Sequence, residues 1–343
     1  MKLMYALSVL LALLAKISPV FFASGKNNTE PEIAPTENSG EPVRETPYAS
    51  PAGIDEGVPV CLISADSEQT LSMREYLVGV LAAEMPALFE AEALKAQAVA
   101  ARTFTLYRML CSEAHDGGKV CDDYSCCQAR KTTEELQGIW GGEYEANMAK
   151  ISAAVAATDG LCLTSGGKPI LAAFHSSSAG STEACGEIWG ASLPYLISVP
   201  TFEGEQEVPN YVTEVALPFT QFKNTVFAAY PDAVFADEPS GWLSQAEYTS
   251  SGRVAAVRVG GVKITGTELR VLFGLRSTYV SWGETDSEIV FHVTGNGHGV
   301  GMSQYGANAM AKRGSSCGEI LAHYYPGAEL SDMTAAAGDG EHI

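Results

Sequence analysis

The stretch from Ser72 to Cys127 constrains the fold of this chain more than any other. Ser72 and Glu75 have the spacing of a capping box at the start of a first helical pattern. A second pattern, rich in alanine and therefore high in helix propensity, runs from Glu90 to Leu110. A loop with three cysteines follows it. The sequence thus predicts two consecutive helices joined to a compact loop.

The first of these helices carries a carboxylate at a core position. Leu77, Val80 and Leu81 recur at helical spacing, and the next member of this apolar series is Glu84. Pro86 ends the helix, so Glu84 lies in its last turn, at the negative end of the macrodipole. Burial and the helix terminus both disfavour ionisation of a carboxyl group. A raised pKa is what a general acid requires near neutral pH, and Glu84 is therefore a candidate catalytic acid.

The second helix places two cations on one side. Lys95 and Arg102 are seven residues apart and share their side with Val99 and Leu106. The two cations could line a cleft that holds Glu84. Alternatively, their stems could lie over the surface while their charges reach water.

The loop HDGGKVCDDYSCC contains four soft metal ligands within thirteen residues, namely His115, Cys121, Cys126 and Cys127. One histidine and three cysteines match a closed, tetrahedral structural zinc site. Such a site has no open position for water, so the predicted ion holds the loop and does no chemistry. The alternative is a pair of disulfides or free thiols, although adjacent cysteines bridge each other only with strain.

Three motifs carry a resemblance to a known family, namely VLAAEMPALFEAEALKAQAVAARTF, GNGHGVGMSQYGANAMAKRG and ILAHYYPG. Together they resemble the stage II sporulation protein D family, which groups with the cell-wall amidase enhancers, over roughly residues 58–330. The resemblance implies a lytic transglycosylase that cuts peptidoglycan strands lacking stem peptides during engulfment of the forespore. It implies that Glu84 is the catalytic glutamate and that Lys95 and Arg102 are important cations, which favours the cleft interpretation of both.

The same resemblance implies further site residues. It places His298, Gln304 and Tyr305 in a glycan cleft facing Glu84, and it gives Tyr195 importance, although Tyr195 could instead be a core aromatic residue. The hydroxyl-rich run that includes Ser177 could bind sugar or cap turns. Some clostridial members have a zinc loop of two histidines and two cysteines, and Cys126 stands at the position of the second histidine.

The organisation of the whole chain follows from its composition. Residues 1–25 form an apolar segment near the length of a spanning helix, without a convincing cleavage site, and predict a retained membrane anchor. Residues 26–57 are rich in Pro, Glu, Gly, Ser and Asn and predict a disordered acidic linker. Residues 58–330 predict an α+β catalytic unit with a glycan cleft, either one large domain or two interlocked ones. Residues 331–343 predict a flexible tail.

The expected partners are inferred from the net charge of the chain and from the family resemblance. The net charge of −20 argues against nucleic acid. The resemblance implies peptidoglycan glycan strands as substrate, and as partners the engulfment amidase, stage II sporulation protein P, and the polytopic membrane protein, stage II sporulation protein M. It also implies a single-pass membrane protein whose catalytic part lies outside the cytoplasm, between the mother-cell and forespore membranes.

The predicted mechanism needs one carboxylate. Ordinary glycoside hydrolysis uses two, whereas a lytic transglycosylase can use Glu84 as acid and then as base, forming a 1,6-anhydro sugar. Two alternatives remain open on the sequence. A non-catalytic wall-binding module that stimulates an amidase would not need Glu84. A zinc hydrolase would need an open metal position, contrary to four close ligands.

Overall fold

The computed structural model describes residues 53–64, 67–112 and 115–333. The predicted anchor at residues 1–25, most of the predicted linker and residues 334–343 lie outside these ranges. Within the described ranges, none of the helices combines the length and the apolar character that a membrane span requires.

The α+β class is confirmed, because helices alternate with small sheets of two or three strands. In the first half of the described chain the helices are α1 (Ile54–Gly57), α2 (Met73–Glu84), α3 (Ala91–Cys111), α4 (Thr133–Trp140), α5 (Tyr144–Ala157) and α6 (Cys185–Trp189). The strands there are β1 (Pro59–Ser64), β2 (Ser67–Ser72), β3 (Val120–Cys121), β4 (Leu161–Ser165), β5 (Lys168–Pro169) and β6 (Phe174–His175).

The second half begins at Val212. Its strands are β7 (Val212–Pro218), β8 (Leu243–Tyr248), β9 (Val254–Val259), β10 (Val262–Thr265), β11 (Val280–Glu284), β12 (Glu288–Thr294), β13 (Met302–Ser303) and β14 (Glu329–Asp332). Its helices are α7 (Phe219–Ala229), α8 (Gly266–Phe273), α9 (Gln304–Lys312) and α10 (Cys317–Tyr324).

The larger hydrophobic core surrounds α3, which is buried for most of its length. Its alanines leave little bulk, so that α2, α5, α9, α10 and β4 all pack against it. Two buried threonines of α3 stay satisfied because the hydroxyls of Thr103 and Thr105 donate to the carbonyls four residues earlier, at 2.7 and 2.8 Å. A helix that is apolar on all sides is expected at the centre of a fold.

A second, separate core lies in residues 212–293. Phe222 of α7 is its centre and stacks on Phe273 with ring centroids 4.8 Å apart. The run RVAAVRVGGVKITG, whose apolar residues alternate with period two, forms β9 and β10, and α8 follows. A capping box between Thr265 and Glu268 starts α8. In chain order, this core interrupts the larger one, whose last members come from residues 300–333.

Several predicted boundaries are wrong. Residues 53–57 belong to the fold and not to the linker, because Asp55 of α1 is fully buried. Residues 331–333 are not part of a tail, since β14 pairs with β4 and Met333 is buried. The helical stretch before Gly160 is divided into α4 and α5 at Gly141, whose φ of 50° lies outside the helical region.

Candidate functional site

Glu84 is the last residue of α2 and is partly exposed. Two groups donate hydrogen bonds to its carboxylate. The N–H of Ala129 lies 3.0 Å from Oε1, and the side-chain amide of Gln304 lies 3.3 Å from Oε2. Burial raises the pKa of Glu84, and these two hydrogen bonds oppose the rise. The structure therefore has a carboxyl group with a raised pKa at a position that solvent still reaches.

Gln304 reaches Glu84 because α9 starts at that residue. Ser303 caps the helix by accepting from the N–H of Gly306 at 3.2 Å. The hydroxyl of Ser303 in turn donates to the buried carboxylate of Glu203, which also accepts from the N–H of Ser178. This network fixes the first turn of α9 and the side chain of Gln304 next to Glu84. The sequence-predicted proximity of Gln304 and Glu84 is a direct contact.

The glycine-rich run before α9 is approached closely, as its alternating glycines predict, but by the protein's own chain. A Cβ at Gly301 would lie 1.9 Å from the carbonyl oxygen of Ala173, and φ there is +73°. A Cβ at Gly299 would lie 2.7 Å from the guanidinium of Arg253. These glycines let β13 pair with β6 and bring the run against the larger core.

His298 stands among these glycines and is partly exposed. Its Nδ1 accepts from the N–H of Val300 at 3.1 Å. Its ring lies 5.3 Å from that of Trp189, whose side chain is 45% exposed. Burial, followed by the charges of Arg270 and Arg253, lowers the pKa of His298 to about 4, so the ring is neutral at neutral pH. His298 and Trp189 together form an aromatic surface next to the glycine-rich run.

Tyr305 follows Gln304 on α9 and is partly exposed. Its ring packs edge-on against Phe89, with centroids 4.9 Å apart, and Phe89 lies in the turn between α2 and α3. Burial raises the pKa of the Tyr305 phenol, and the positive charge of Arg276 opposes that rise. Tyr305 is thus a neighbour of both the Glu84 helix and Arg276.

The expectation that Arg102 lines the cleft, or reaches water, is wrong. Arg102 is fully buried and forms a two-pronged ion pair with Asp55, in which Nε and Nη2 lie 2.8 and 2.5 Å from the carboxylate oxygens. Its Nη1 donates to the carbonyl of Leu161 at 3.0 Å. Arg102 therefore joins α3 to α1 and to β4, and its contacts do not include Glu84.

Lys95 lies one turn from the start of α3 and is partly exposed. Its ammonium pairs with Glu92 at 2.6 Å, and Glu92 also accepts from the N–H of Cys317 at 2.8 Å. These contacts connect Lys95 with the start of α10. The structure thus places the two predicted cations of α3 in different environments, one partly open and one closed.

Tyr195 and Ser177 are both buried. The hydroxyl of Tyr195 accepts from the N–H of Leu171 at 3.3 Å, which matches the interpretation of Tyr195 as a core aromatic residue. Ser177 pairs through its backbone with Asn296 next to the glycine-rich run, at 3.0 and 2.9 Å. Among the described residues, no atom forms a hydrogen bond with its side-chain oxygen. The structure brings neither side chain to Glu84.

The four predicted metal ligands come together. The ligand atoms of His115, Cys121, Cys126 and Cys127 all lie within 4.8 Å of one another. Bonds of about 2.0 to 2.3 Å to a central zinc ion place tetrahedral ligand atoms roughly 3.3 to 3.8 Å apart, so small side-chain movements would let these four atoms surround one ion. Arg108 donates to the carbonyl of Cys126 and lies 3.6 Å from its sulfur. Burial raises the pKa of the Cys126 thiol, and the charge of Arg108 opposes that rise. The donor set and spacing therefore fit a tetrahedral zinc ion.

The metal loop connects directly to Glu84. Ala129, which donates to Glu84, is the second residue after the last cysteine of the loop. A backbone donor leaves no mark in a sequence, so Ala129 was not predicted as part of the site.

Among the cysteines outside the metal loop, Cys61, Cys111, Cys162 and Cys185 are thiols.

Three side chains near the site also escaped prediction, namely those of Trp189, Arg270 and Arg276. Trp189 belongs to a Trp-Gly pair that resembles the family, and this was its one signal in the sequence. Arg270 lies in α8 and Arg276 shortly after it, in a region where the sequence shows no candidate site residue. Their relation to the site depends on how the second core meets the glycine-rich run, which is a tertiary contact.

Comparison with known proteins gives consistent results. Residues 64–164 match a family model described as stage II sporulation protein. The chain is 38% identical to stage II sporulation protein D of Bacillus amyloliquefaciens, over 87% of this chain and 86% of the relative. It is 36% identical to stage II sporulation protein D of Bacillus subtilis (strain 168), over 96% and 95%. An amidase enhancer of the same Bacillus subtilis strain is 29% identical over 74% of this chain and 40% of the relative.

Proposed function

The chain belongs to the stage II sporulation protein D family, and from that premise we propose that it is a lytic transglycosylase. Its proposed substrate is the peptidoglycan glycan strand without stem peptides, cut during engulfment. One observation carries the proposal, namely that Glu84 is partly exposed, has a raised pKa and is hydrogen-bonded by the amide of Gln304. A carboxyl group in this state can act as a general acid near neutral pH.

The proposed reaction uses Glu84 twice. The protonated carboxyl gives its proton to the oxygen that bridges two sugars, and the bond from that oxygen to C1 of muramic acid breaks. The resulting carboxylate then accepts the proton of the 6-hydroxyl of the same muramic acid while that oxygen bonds to C1. The products are a 1,6-anhydro end and a new hydroxyl end, and no water is consumed.

The polar neighbours of Glu84 suit its second role as the proton acceptor. Its carboxylate accepts hydrogen bonds from the N–H of Ala129 and from the side-chain amide of Gln304. Both donors stabilise the ionised form that appears once the proton has left. Gln304 also lies at the start of α9, where the helix macrodipole is positive and favours that same charge.

We assign roles to the other side chains according to whether solvent, and therefore a sugar, can reach them. Tyr305, His298 and Trp189 offer partly exposed rings for sugar contacts, and the neutral His298 can also donate or accept a hydrogen bond. Lys95 is proposed to reach the sugar, because a surface ion pair such as that with Glu92 is worth no more than about 1 kcal/mol. Arg102 is assigned to the stability of the fold because it is fully buried.

Zinc is the proposed metal, held by His115, Cys121, Cys126 and Cys127. A closed tetrahedral ion supplies structural support and no reactive position. The consequence for this chain is that the loop end, including Ala129, is held against Glu84. The proposed role of the metal is therefore to position the N–H that contacts the carboxylate.

The proposed setting follows the family. The catalytic unit would lie outside the cytoplasm, between the mother-cell and forespore membranes, held by the apolar segment at residues 1–25. Its proposed partners are the engulfment amidase, stage II sporulation protein P, which would strip the strands, and the membrane protein stage II sporulation protein M.

A second function has one specific observation in its favour. A similar protein is named an amidase enhancer, and a chain of this kind could bind the wall and stimulate an amidase without cutting glycan. In that case Glu84 would be dispensable.

Product analysis separates the two functions. Peptide-free glycan strands are incubated with the 343-residue chain and with its Glu84→Gln variant, and the products are measured by mass spectrometry. We expect anhydro-ended fragments from the parent and none from the variant. A folded, zinc-loaded parent that produces no fragments but stimulates an amidase would favour the enhancer function.

A further inference from the structure

Two arginines of the second core, Arg270 and Arg276, have free donor capacity. Arg270 lies in α8 and donates through Nε to the carbonyl of Leu275 at 3.2 Å. Arg276 donates through Nη1 to the carbonyl of Asn210. Each guanidinium has five N–H donors in a planar fork. Most of these donors are thus available to a ligand, because both side chains are partly exposed.

Both arginines lie next to the proposed cleft. The N–H of Gly297 donates to the carbonyl of Arg276 at 2.8 Å, so the backbone of Arg276 runs directly against the glycine-rich segment. Tyr305 is the residue after Gln304, and the positive charge of Arg276 opposes the rise in the pKa of its phenol that burial causes. After burial, the charge of Arg270 is the next cause that lowers the pKa of His298. Arg270 is in turn influenced by Tyr124 of the metal loop. The same loop leads into Ala129, whose N–H donates to Glu84.

The charges of these arginines are unmatched. Within the described residues, no ion pair includes Arg270 or Arg276, although the chain as a whole has a net charge of −20. The third arginine near the run, Arg253, is fully buried and pairs with Glu183 at 3.5 Å. A partly buried guanidinium without a carboxylate loses hydration, and one hydrogen bond to a backbone carbonyl compensates only part of that loss. Such a group is expected where an anionic ligand completes it.

We propose that Arg270 and Arg276 bind free lactyl carboxylates of the muramic acid residues in the bound glycan strand. The inference rests on the proposed function, because it assigns a substrate group to the same cleft. In a strand that carries stem peptides this carboxyl group is tied up as a neutral amide. An amidase that removes the peptide releases a carboxylate, and a guanidinium fork is suited to bind it. The two arginines would thereby select strands that an amidase has already processed.

The test measures binding without turnover. The 343-residue chain carrying Glu84→Gln is titrated with two probes, namely peptide-free strands with free lactyl carboxylates and the same strands with these carboxylates converted to methylamides. We expect at least about tenfold tighter binding of the carboxylate strands, the size of one charge-assisted interaction. Adding Arg270→Gln or Arg276→Gln is expected to weaken binding of the carboxylate strands alone, so that the ratio falls toward one.

Matched variants exclude a general structural effect. Arg258→Gln removes an arginine of β9 that is also partly exposed and bonds Gln245 at 2.8 Å, and it should leave the ratio unchanged. Arg270→Lys keeps the charge and should restore part of the preference. If the Arg270 and Arg276 variants lose affinity equally for both probes, the proposal is overturned. It is also overturned if the chain carrying Glu84→Gln alone binds carboxylate strands and methylamide strands with equal affinity.

The two levels of inference fail separately. Cleavage of the strands by the parent chain, together with a binding ratio of one, would contradict the carboxylate site and leave the transglycosylase intact. A clear preference for carboxylate strands without any cleavage would support the carboxylate site and contradict the proposed reaction.

Discussion

Two charged groups on neighbouring helices, Arg102 of α3 and Glu84 of α2, have opposite surroundings. Arg102 is fully buried, and its guanidinium is occupied by both oxygens of Asp55 and by the carbonyl of Leu161. Glu84 is partly exposed and accepts two hydrogen bonds, at 3.0 and 3.3 Å, neither of which comes from a cation. Burial raises the pKa of Glu84, and among the residues that the structure describes no opposite charge contacts its carboxylate.

The difference teaches how to separate a structural charge from a reactive one. A buried charge whose donors are all used holds parts of the fold together and can change protonation state only at a high cost. A carboxyl group that is partly desolvated, incompletely compensated and still open can exchange a proton with a substrate. A position in a helical pattern of the sequence does not distinguish the two cases. The hydrogen-bond and ion-pair partners of each charged group in the structure distinguish them.

The largest expected effect is the loss of glycan cleavage in Glu84→Gln. General acid–base catalysis contributes roughly 10²- to 10⁴-fold, so we expect a fall in kcat of about 10³-fold. The fold should remain, because glutamine has nearly the same shape and can still accept from Ala129. Glu75→Gln, at the exposed start of the same helix, is the control and should keep full activity. Near-parental cleavage by Glu84→Gln would contradict the proposed role of Glu84 as the catalytic acid.

The second effect is the loss of stability in Arg102→Met. Removal of one partner from a buried ion pair leaves an unpaired charge and costs about 3 to 5 kcal/mol in the free energy of unfolding. Denaturant titration of the parent and the variant measures this difference. The double variant Asp55→Asn with Arg102→Met should be less destabilised than the sum of the two single variants, because neither charge is then left alone. An Arg102→Met variant with parental stability but no activity would contradict the structural assignment.

The third effect is expected from metal removal. Cys126→Ser, or a chelator, should lower the melting temperature and reduce cleavage by about tenfold or more, because the N–H of Ala129 then no longer has a fixed position against Glu84. Loss of one hydrogen bond to a charged acceptor is worth about 1.5 to 3 kcal/mol. Bound zinc is measured in parallel. Cys61→Ser, on β1 outside the metal group, should change neither zinc content nor cleavage. Full cleavage activity of a zinc-free chain would contradict the proposal that the metal loop positions Ala129 against Glu84.

The smallest effect concerns the pH dependence of stability. The folded chain holds the proton of Glu84 more tightly than the unfolded chain, whose ordinary pKa is about 4.5. Stability contributed by this group is therefore fully present below that value and is lost as pH rises through the higher pKa of the folded state. Glu84→Gln removes the loss, so the variant should melt above the parent at pH 8 and together with it at pH 4. A parent that is more stable than the variant at pH 8 would contradict the raised pKa.

On one side of this comparison, the sequence alone predicted the position of Glu84 at the end of its helix and the direction of its pKa shift. Glu84 was recognisable because helical periodicity placed a carboxylate where an apolar residue belongs, and Pro86 fixed the end of the helix. The His and Cys side chains that could hold a metal ion were recognisable because they lie close together in the chain. Local patterns of this kind depend on local geometry, which residue spacing records.

Arg102 could not be assigned in the same way. Its partner Asp55 lies 47 residues earlier, in a segment whose composition predicted a disordered linker. A single buried carboxylate does not change the composition of such a segment, so neither the ion pair nor the true start of the fold is visible there. The glycine-rich run shows a related limit. Its glycines predicted a close approach, and the structure shows that Ala173 and Arg253 make it.

The central claim is that Glu84 directs attack by the sugar's own 6-hydroxyl and not by water. The most direct measurement is cleavage of peptide-free strands in water enriched in oxygen-18, followed by mass spectrometry of the new muramic acid ends. We predict ends without label, each lighter than a reducing end by one water. Reducing ends that carry oxygen-18 at C1 would mean that water attacks the glycosidic carbon, and would contradict the one-carboxylate transglycosylase.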